Sequence, residues 1–328
     1  MHDHALSLLD FYRIRDDVAG YCLSEEGAAA VRAGLPSADP DEVVDAKARA
    51  SAVRELLRDS RDVPGGSFMP VDAASRIIGK QGSCLAVEEL WALGMWAAAY
   101  AGLVRWLSGV RHKGLRAELT AAPDLSAVAA AAFRVVGQDG EIRDLPELRD
   151  IRSKIRAINL DIERVTASFF QDESTRQMLQ NDVPTQRDGR TVLAVKAGSR
   201  SRLKGIVHEV SSTGQTVYIE PETLVQRNNE LVEEEARYLR ELQRVLRETT
   251  AKLYNYSGAV AAARVACAAF DGLYAKARYS HLNDGVFAEE RGSGLDLVKA
   301  RHPILGSKAV PIDLRMPEDA RTLIITGP

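Results

Sequence analysis

Residues 144–170 read DLPELRDIRSKIRAINLDIERVTASFF. Asp144 can cap a helix, Pro146 suits its first turn, and Glu147 favours the positive end of the helix dipole. From there Leu148, Ile151, Ile155, Ile158, Ile162, Val165 and Phe169 recur at alternating spacings of three and four. That is an a/d seam sustained over about three heptads. The positions between are mostly charged, so one narrow stripe is buried and the rest faces water. A second helix starts at Pro221, with Leu224, Leu231, Leu239, Leu242, Leu246 and Leu253 on one face in a background of Glu and Arg. A narrow stripe is not stable alone. The pattern therefore predicts two helices packed antiparallel, with the residues between them at the far end. At 1.5 Å per residue a helix of about 33 residues reaches about 50 Å, which would hold that end away from the body.

The intervening stretch, 181–220, changes period. Asp188-Gly189 is a hairpin-type turn. Thr191–Val195, Ile206–Val210 and Thr216–Ile219 are strand candidates, the last two joined by Ser211-Ser212-Thr213-Gly214. Between residues 187 and 208 lie Arg187, Arg190, Lys196, Arg200, Arg202 and Lys204 against Asp188 alone, a local net charge of +5 in a chain whose total is −3. Lysine, arginine, serine hydroxyls and backbone N–H groups are what phosphate oxygens accept hydrogen bonds from. Such attraction is independent of base sequence and weakened by salt. Tyr218 is the one aromatic residue beside it, which favours contact with the backbone over stacking on single-stranded bases. The competing reading is a solvated strand face with surplus charge.

On either side the chain is helical. Leu8, Phe11, Val18 and Cys22 mark one apolar face, Ser24-Glu25-Glu26-Gly27 breaks it, and Asp39-Pro40 starts another helix. Val63–Gly66 reads as a loop. Residues 90–104 are apolar but too few to span a bilayer, so they predict a buried helix. Ala259, Ala262, Val265, Ala269 and Leu273 lie on a later helix whose alanines suit close packing. Leu295–Val298 and Thr322–Thr326 are short strand candidates; the second ends in Gly327-Pro328, as a strand entering a phosphate loop would.

Composition is that of an ordinary soluble globular protein, with 45% apolar and 27% charged residues. The cysteines, Cys22, Cys84 and Cys267, are scattered and odd in number, which suits a reducing cytoplasm better than a disulfide framework. The six histidines have no metal-ligand spacing beyond His2-x-His4, and no nucleophile–base or paired-carboxylate arrangement stands out. The residues predict no catalytic site and no metal.

The stretch KGIVHEVSSTGQTVYIEP at 204–221, followed by Asn228-Asn229-Glu230-Leu231, resembles the clamp and returning lever helix of bacterial MutS-like proteins of the type-two branch, which lacks the mismatch-reading N-terminal domains. Ala300–Leu305, Leu323–Pro328, Leu9-Asp10-Phe11 and Asp139–Asp144 match the same pattern. The resemblance implies a mainly α fold: a helical core over 1–143, an outgoing lever helix over 144–180, a β-rich clamp over 181–220, a returning lever helix and core over 221–290, and the first strands of an α/β ATPase domain over 291–328. It implies DNA, duplex or branched, as partner, a homodimer, a cytoplasmic and nucleoid-associated setting, no membrane, and a part in restraining recombination. RNA or ribosome contact stays open. ATP and Mg²⁺ are implied as cofactors of the family's complete ATPase, of whose nucleotide loop only Gly327 and Pro328 match here; the lysine of that loop and the family's C-terminal nuclease domain are not in this sequence. These residues alone are therefore expected to hydrolyse no ATP and cut no DNA. The rival expectation is a structural or dimerisation arm whose tip binds protein.

Overall fold

The computed structural model describes residues 3–58, 68–108, 115, 122–289 and 294–324. The chain clusters into two compact units: Met1–Gln81, Glu88–Phe133 and Lys252–Pro328 form one, and Gly82–Val87 with Arg134–Ala251 form the other.

The first unit is built of helices α1 (Asp3–Leu8), α2 (Phe11–Ala19), α3 (Glu25–Ala33), α4 (Pro40–Arg58), α5 (Asp72–Ile78), α6 (Val87–Leu107) and α7 (Ser126–Val135). The apolar face expected through Leu8 and Phe11 is interrupted. Asp10 takes a left-handed conformation (φ 53°), the chain turns, and Leu8 is exposed. The break at Ser24 is where the sequence places it: the Ser24 hydroxyl caps α3 by accepting from Gly27 N at 3.0 Å. Helix α11 (Ser257–Leu282) packs against α3 and α4. By length and composition it could cross a membrane. Its buried residues, however, include Val260, Ala263, Cys267, Phe270, Tyr274 and Ala277, a stripe packed on protein. The sequence places Ala259, Ala262, Val265, Ala269 and Leu273 on this helix and expects its alanines to pack closely. Alanines on every face of α11 leave the register undetermined by hydropathy, and Val265 is in fact exposed. Asp271 of α11 is buried and accepts from Leu23 N, Ser24 N and the Ser24 hydroxyl at 2.7, 2.8 and 2.6 Å.

After α11 come β5 (Leu295–Ala300) and β6 (Ile312–Met316), an antiparallel pair. Thr322–Ile324 form no strand, contrary to the sequence expectation. An apolar run becomes a strand only where a neighbour takes up its backbone groups, and no described strand does so. Val63–Gly66 and residues 325–328, including Gly327 and Pro328, lie outside the described residues.

The second unit carries the two long helices. Helix α8 (Pro146–Gln171) and helix α10 (Glu222–Tyr254) run antiparallel. Arg152 donates to the Tyr238 hydroxyl at 3.0 Å, Lys154 pairs with Glu234, and Asp161 pairs with Arg227, so partner numbers fall on one helix as they rise on the other. Ile162, Leu224 and Leu231 are buried together, with Ile155, Ile158 and Val165 half-buried against them. One sequence assignment fails here. Leu239 is 60% exposed, and Tyr238 faces α8 in its place.

Between the two helices the short helix α9 (Glu173–Arg176) leads into β1 (Thr185–Arg187), β2 (Arg190–Lys196), β3 (Gly205–Val210) and β4 (Thr216–Pro221). They form an antiparallel sheet in the order β1-β2-β4-β3. Asp188 and Gly189, at φ 50° and 73°, make the β1–β2 turn, the left-handed pair that matches strand twist. Below the sheet Met178, Leu179, Leu193, Val195, Val217 and Ile219 form a small core, closed by Phe169 and Phe170 from the end of α8.

Candidate nucleic-acid interface

Two turns of 3₁₀ helix, Ala197–Arg202, leave β2 and pass through Leu203 and Lys204 into β3. Leu203 packs on the small core under the sheet and pins this segment. Its neighbours Arg202 and Lys204, and Arg200 one turn earlier, are exposed. Among the described residues none of these three side chains has a hydrogen-bond or ion-pair partner. Three uncompensated cations thus stand within five residues of one another, on a segment whose apolar anchor fixes where they are.

The other three cations named from the sequence have partners within the tip. Arg187 donates from Nε to Glu209 at 2.6 Å, and its guanidinium lies 4.0 Å from the Tyr218 ring centre. Arg190 donates to Glu220 at 2.9 Å and to the Asn229 side-chain oxygen at 2.6 Å. Lys196 is exposed and donates to the Gln177 carbonyl at 3.0 Å. The charges of Arg187 and Arg190 are thus already matched by carboxylates within the tip. A count over residues 187–208 does not include Glu209 and Glu220, which lie beyond its end and reach back across the sheet. The Tyr218 face is likewise occupied by Arg187, so the tip's aromatic ring is not open for base stacking.

Glu220 is the centre of a buried polar network. It is 0% exposed. Besides Arg190, it accepts from Asn228 Nδ2 at 2.9 Å and meets His208 Nε2 at 2.7 Å. His208 reaches it because the β3–β4 register shifts between Val207 and Glu209; a bulge re-aims the extra residue's side chain. Burial alone pushes the Glu220 carboxyl up, but its contacts to Asn228, His208 and Arg190 outweigh burial and hold it below the ordinary glutamate value. Asn228, also 0% exposed, grips β2 from α10: its oxygen accepts from Thr191 N at 3.2 Å and its nitrogen donates to the Thr191 carbonyl at 3.0 Å. The sequence reading passed over this network; the signal available was the closely spaced Glu220, Asn228 and Asn229 beside His208.

The chain is similar over its whole length to proteins named Endonuclease MutS2. It is 30% identical to that of Pelotomaculum thermopropionicum and 32% identical to that of Gemmatimonas aurantiaca, spanning 42% of each. Over 200 residues, 60% of this chain and 26% of the relative, it is 38% identical to the Endonuclease MutS2 of Thermotoga maritima. The chain therefore spans less than half the length of these relatives. No family model matches it.

Proposed function

We propose that this chain is a MutS2-like, DNA-associated protein whose four-stranded tip grips the nucleic-acid backbone without reading sequence. The observation that carries this reading is the exposed and unpaired trio Arg200, Arg202 and Lys204, on a segment pinned to the tip's core by Leu203. Unpaired guanidinium and ammonium groups beside serine hydroxyls bind phosphate oxygens by charge and hydrogen bonding. Lys196, exposed at the end of β2, flanks the trio. On this reading α8 and α10 are the lever that carries the tip, and the tip is the clamp. Contact through phosphates favours duplex or branched DNA over single strands, because the Tyr218 ring is covered by Arg187. A protein of the relatives' full length would act on recombination intermediates as a homodimer. ATP and Mg²⁺ enter only through Gly327 and Pro328, which lie outside the described residues.

The test is a salt-titrated binding assay with duplex, branched and single-stranded DNA and structured RNA. Duplex and branched DNA are expected to bind alike, with affinity falling as salt rises, and single strands more weakly. Equal or tighter binding of structured RNA would move the reading to an RNA backbone. Affinity that does not respond to salt would overturn it.

A further inference from the structure

The basic turn leaves from β2 and returns into β3, and both strands are tied to the same carboxylate. Arg190, at the head of β2, and His208, at the bulge of β3, meet on Glu220. Glu220 stands two residues before the start of α10, and Asn228 and Asn229 on the first turns of α10 complete the set. Asn228 pairs with both main-chain groups of Thr191, as a neighbouring strand would. The Lys204 carbonyl accepts from Glu222 N at 3.2 Å, so one of the free cations sits on a residue bonded to the first residue of α10. The contact with α8 is of another kind: Phe169 and Phe170 pack on the tip's apolar core. Apolar packing has no preferred direction, whereas several hydrogen bonds to a buried carboxylate and amide fix an orientation.

We infer that Glu220 and Asn228 form a joint that locks the tip onto α10, and that they are positioning residues for the Arg200–Arg202–Lys204 surface. The second half of this inference rests on the backbone-binding reading above. Glu220 touches no part of that surface and carries the wrong charge for it; its effect on binding is through orientation alone.

The experiment uses the full chain with Glu220→Gln and Asn228→Ala and two readouts. The first is hydrogen exchange over residues 190–208, where both variants are expected to exchange roughly tenfold faster than wild type. The second is binding of a short duplex at low salt, where both are expected to bind roughly tenfold more weakly, because an oriented surface becomes a floating one. Glu220→Gln removes a negative charge, so attraction to phosphate without positioning would make it bind more tightly. Exchange unchanged in both variants overturns the joint. Faster exchange with equal or tighter duplex binding overturns the positioning role. Wild type without salt-dependent binding overturns the reading beneath that role, and the joint then stands or falls on exchange alone. Asn228 lies outside the sheet, so Asn228→Ala carries both readouts if Glu220→Gln does not fold.

Discussion

A β-carbon built on Gly205 would lie 2.1 Å from the carbonyl oxygen of Glu220. The atom in the way is main chain, which no side-chain rotation can clear, so glycine is what lets β3 begin against the end of β4. Gly205→Ala is expected to cost about 2–3 kcal/mol, as overpacking against backbone does. Thermal or urea unfolding checks this. Gly214→Ala makes the useful comparison. Nothing lies within 4 Å of a β-carbon there, and its cost comes from a left-handed φ of 69° alone.

The seam between α8 and α10 can be probed at two leucine-or-isoleucine positions that look alike in sequence. Ile162 is buried against Leu224 and Leu231, so Ile162→Ala is expected to cost about 3 kcal/mol. Leu239 is exposed, so Leu239→Ala is expected to cost less than about 0.5 kcal/mol. Denaturant midpoints of the two variants decide the matter, and equal costs would contradict the register described.

These two residues also mark what the sequence could and could not reveal. The period of Leu148 to Phe169 was enough to predict a helix and its buried stripe, and the strands at 191–195, 206–210 and 216–219 were recognisable from their β-branched runs and the Asp188-Gly189 turn. On α10 the leucine pattern includes Leu239, which is exposed. Tyr238 faces α8 instead, since its ring takes the Arg152 guanidinium and its hydroxyl an Arg152 hydrogen bond. The basic character of the tip was visible too, but charge counting cannot tell a free arginine from one paired across a sheet. Glu209 and Glu220 decide that for Arg187 and Arg190, and both pairings depend on register and on a bulge that no local pattern announces.

Arg190 supplies a further test of the buried network. Its removal leaves the Glu220 carboxylate buried without its full-charge partner. Arg190→Ala is expected to cost about 3 kcal/mol, with duplex binding weakened only through lost order. Arg190→Met tests the same point with the aliphatic volume kept.

Acid titration gives an independent view. The folded-state pKa of Glu220 is lowered, so its ionised form stabilises the fold at pH above the unfolded value, about 4.3. That contribution is lost as pH falls through the folded value. Wild type is therefore expected to lose stability below about pH 4 more steeply than Glu220→Gln. Unfolding curves collected from neutral to acid pH check the sign. Parallel pH profiles would show that the Glu220 carboxyl titrates alike in the folded and unfolded states, and a shallower acid loss in wild type would show that it is kept neutral in the native tip.

The most direct measurement of the backbone-gripping surface is duplex affinity against salt for wild type and for a variant with Arg200, Arg202 and Lys204 all changed to Glu. Three phosphate contacts give an expected slope of about −2.7 in log affinity against log salt for wild type. The triple variant is expected to keep its helical circular dichroism and lose both the affinity and the slope. A folded triple variant that binds duplex with wild-type affinity and slope would contradict the assignment of the tip's free cations to nucleic acid.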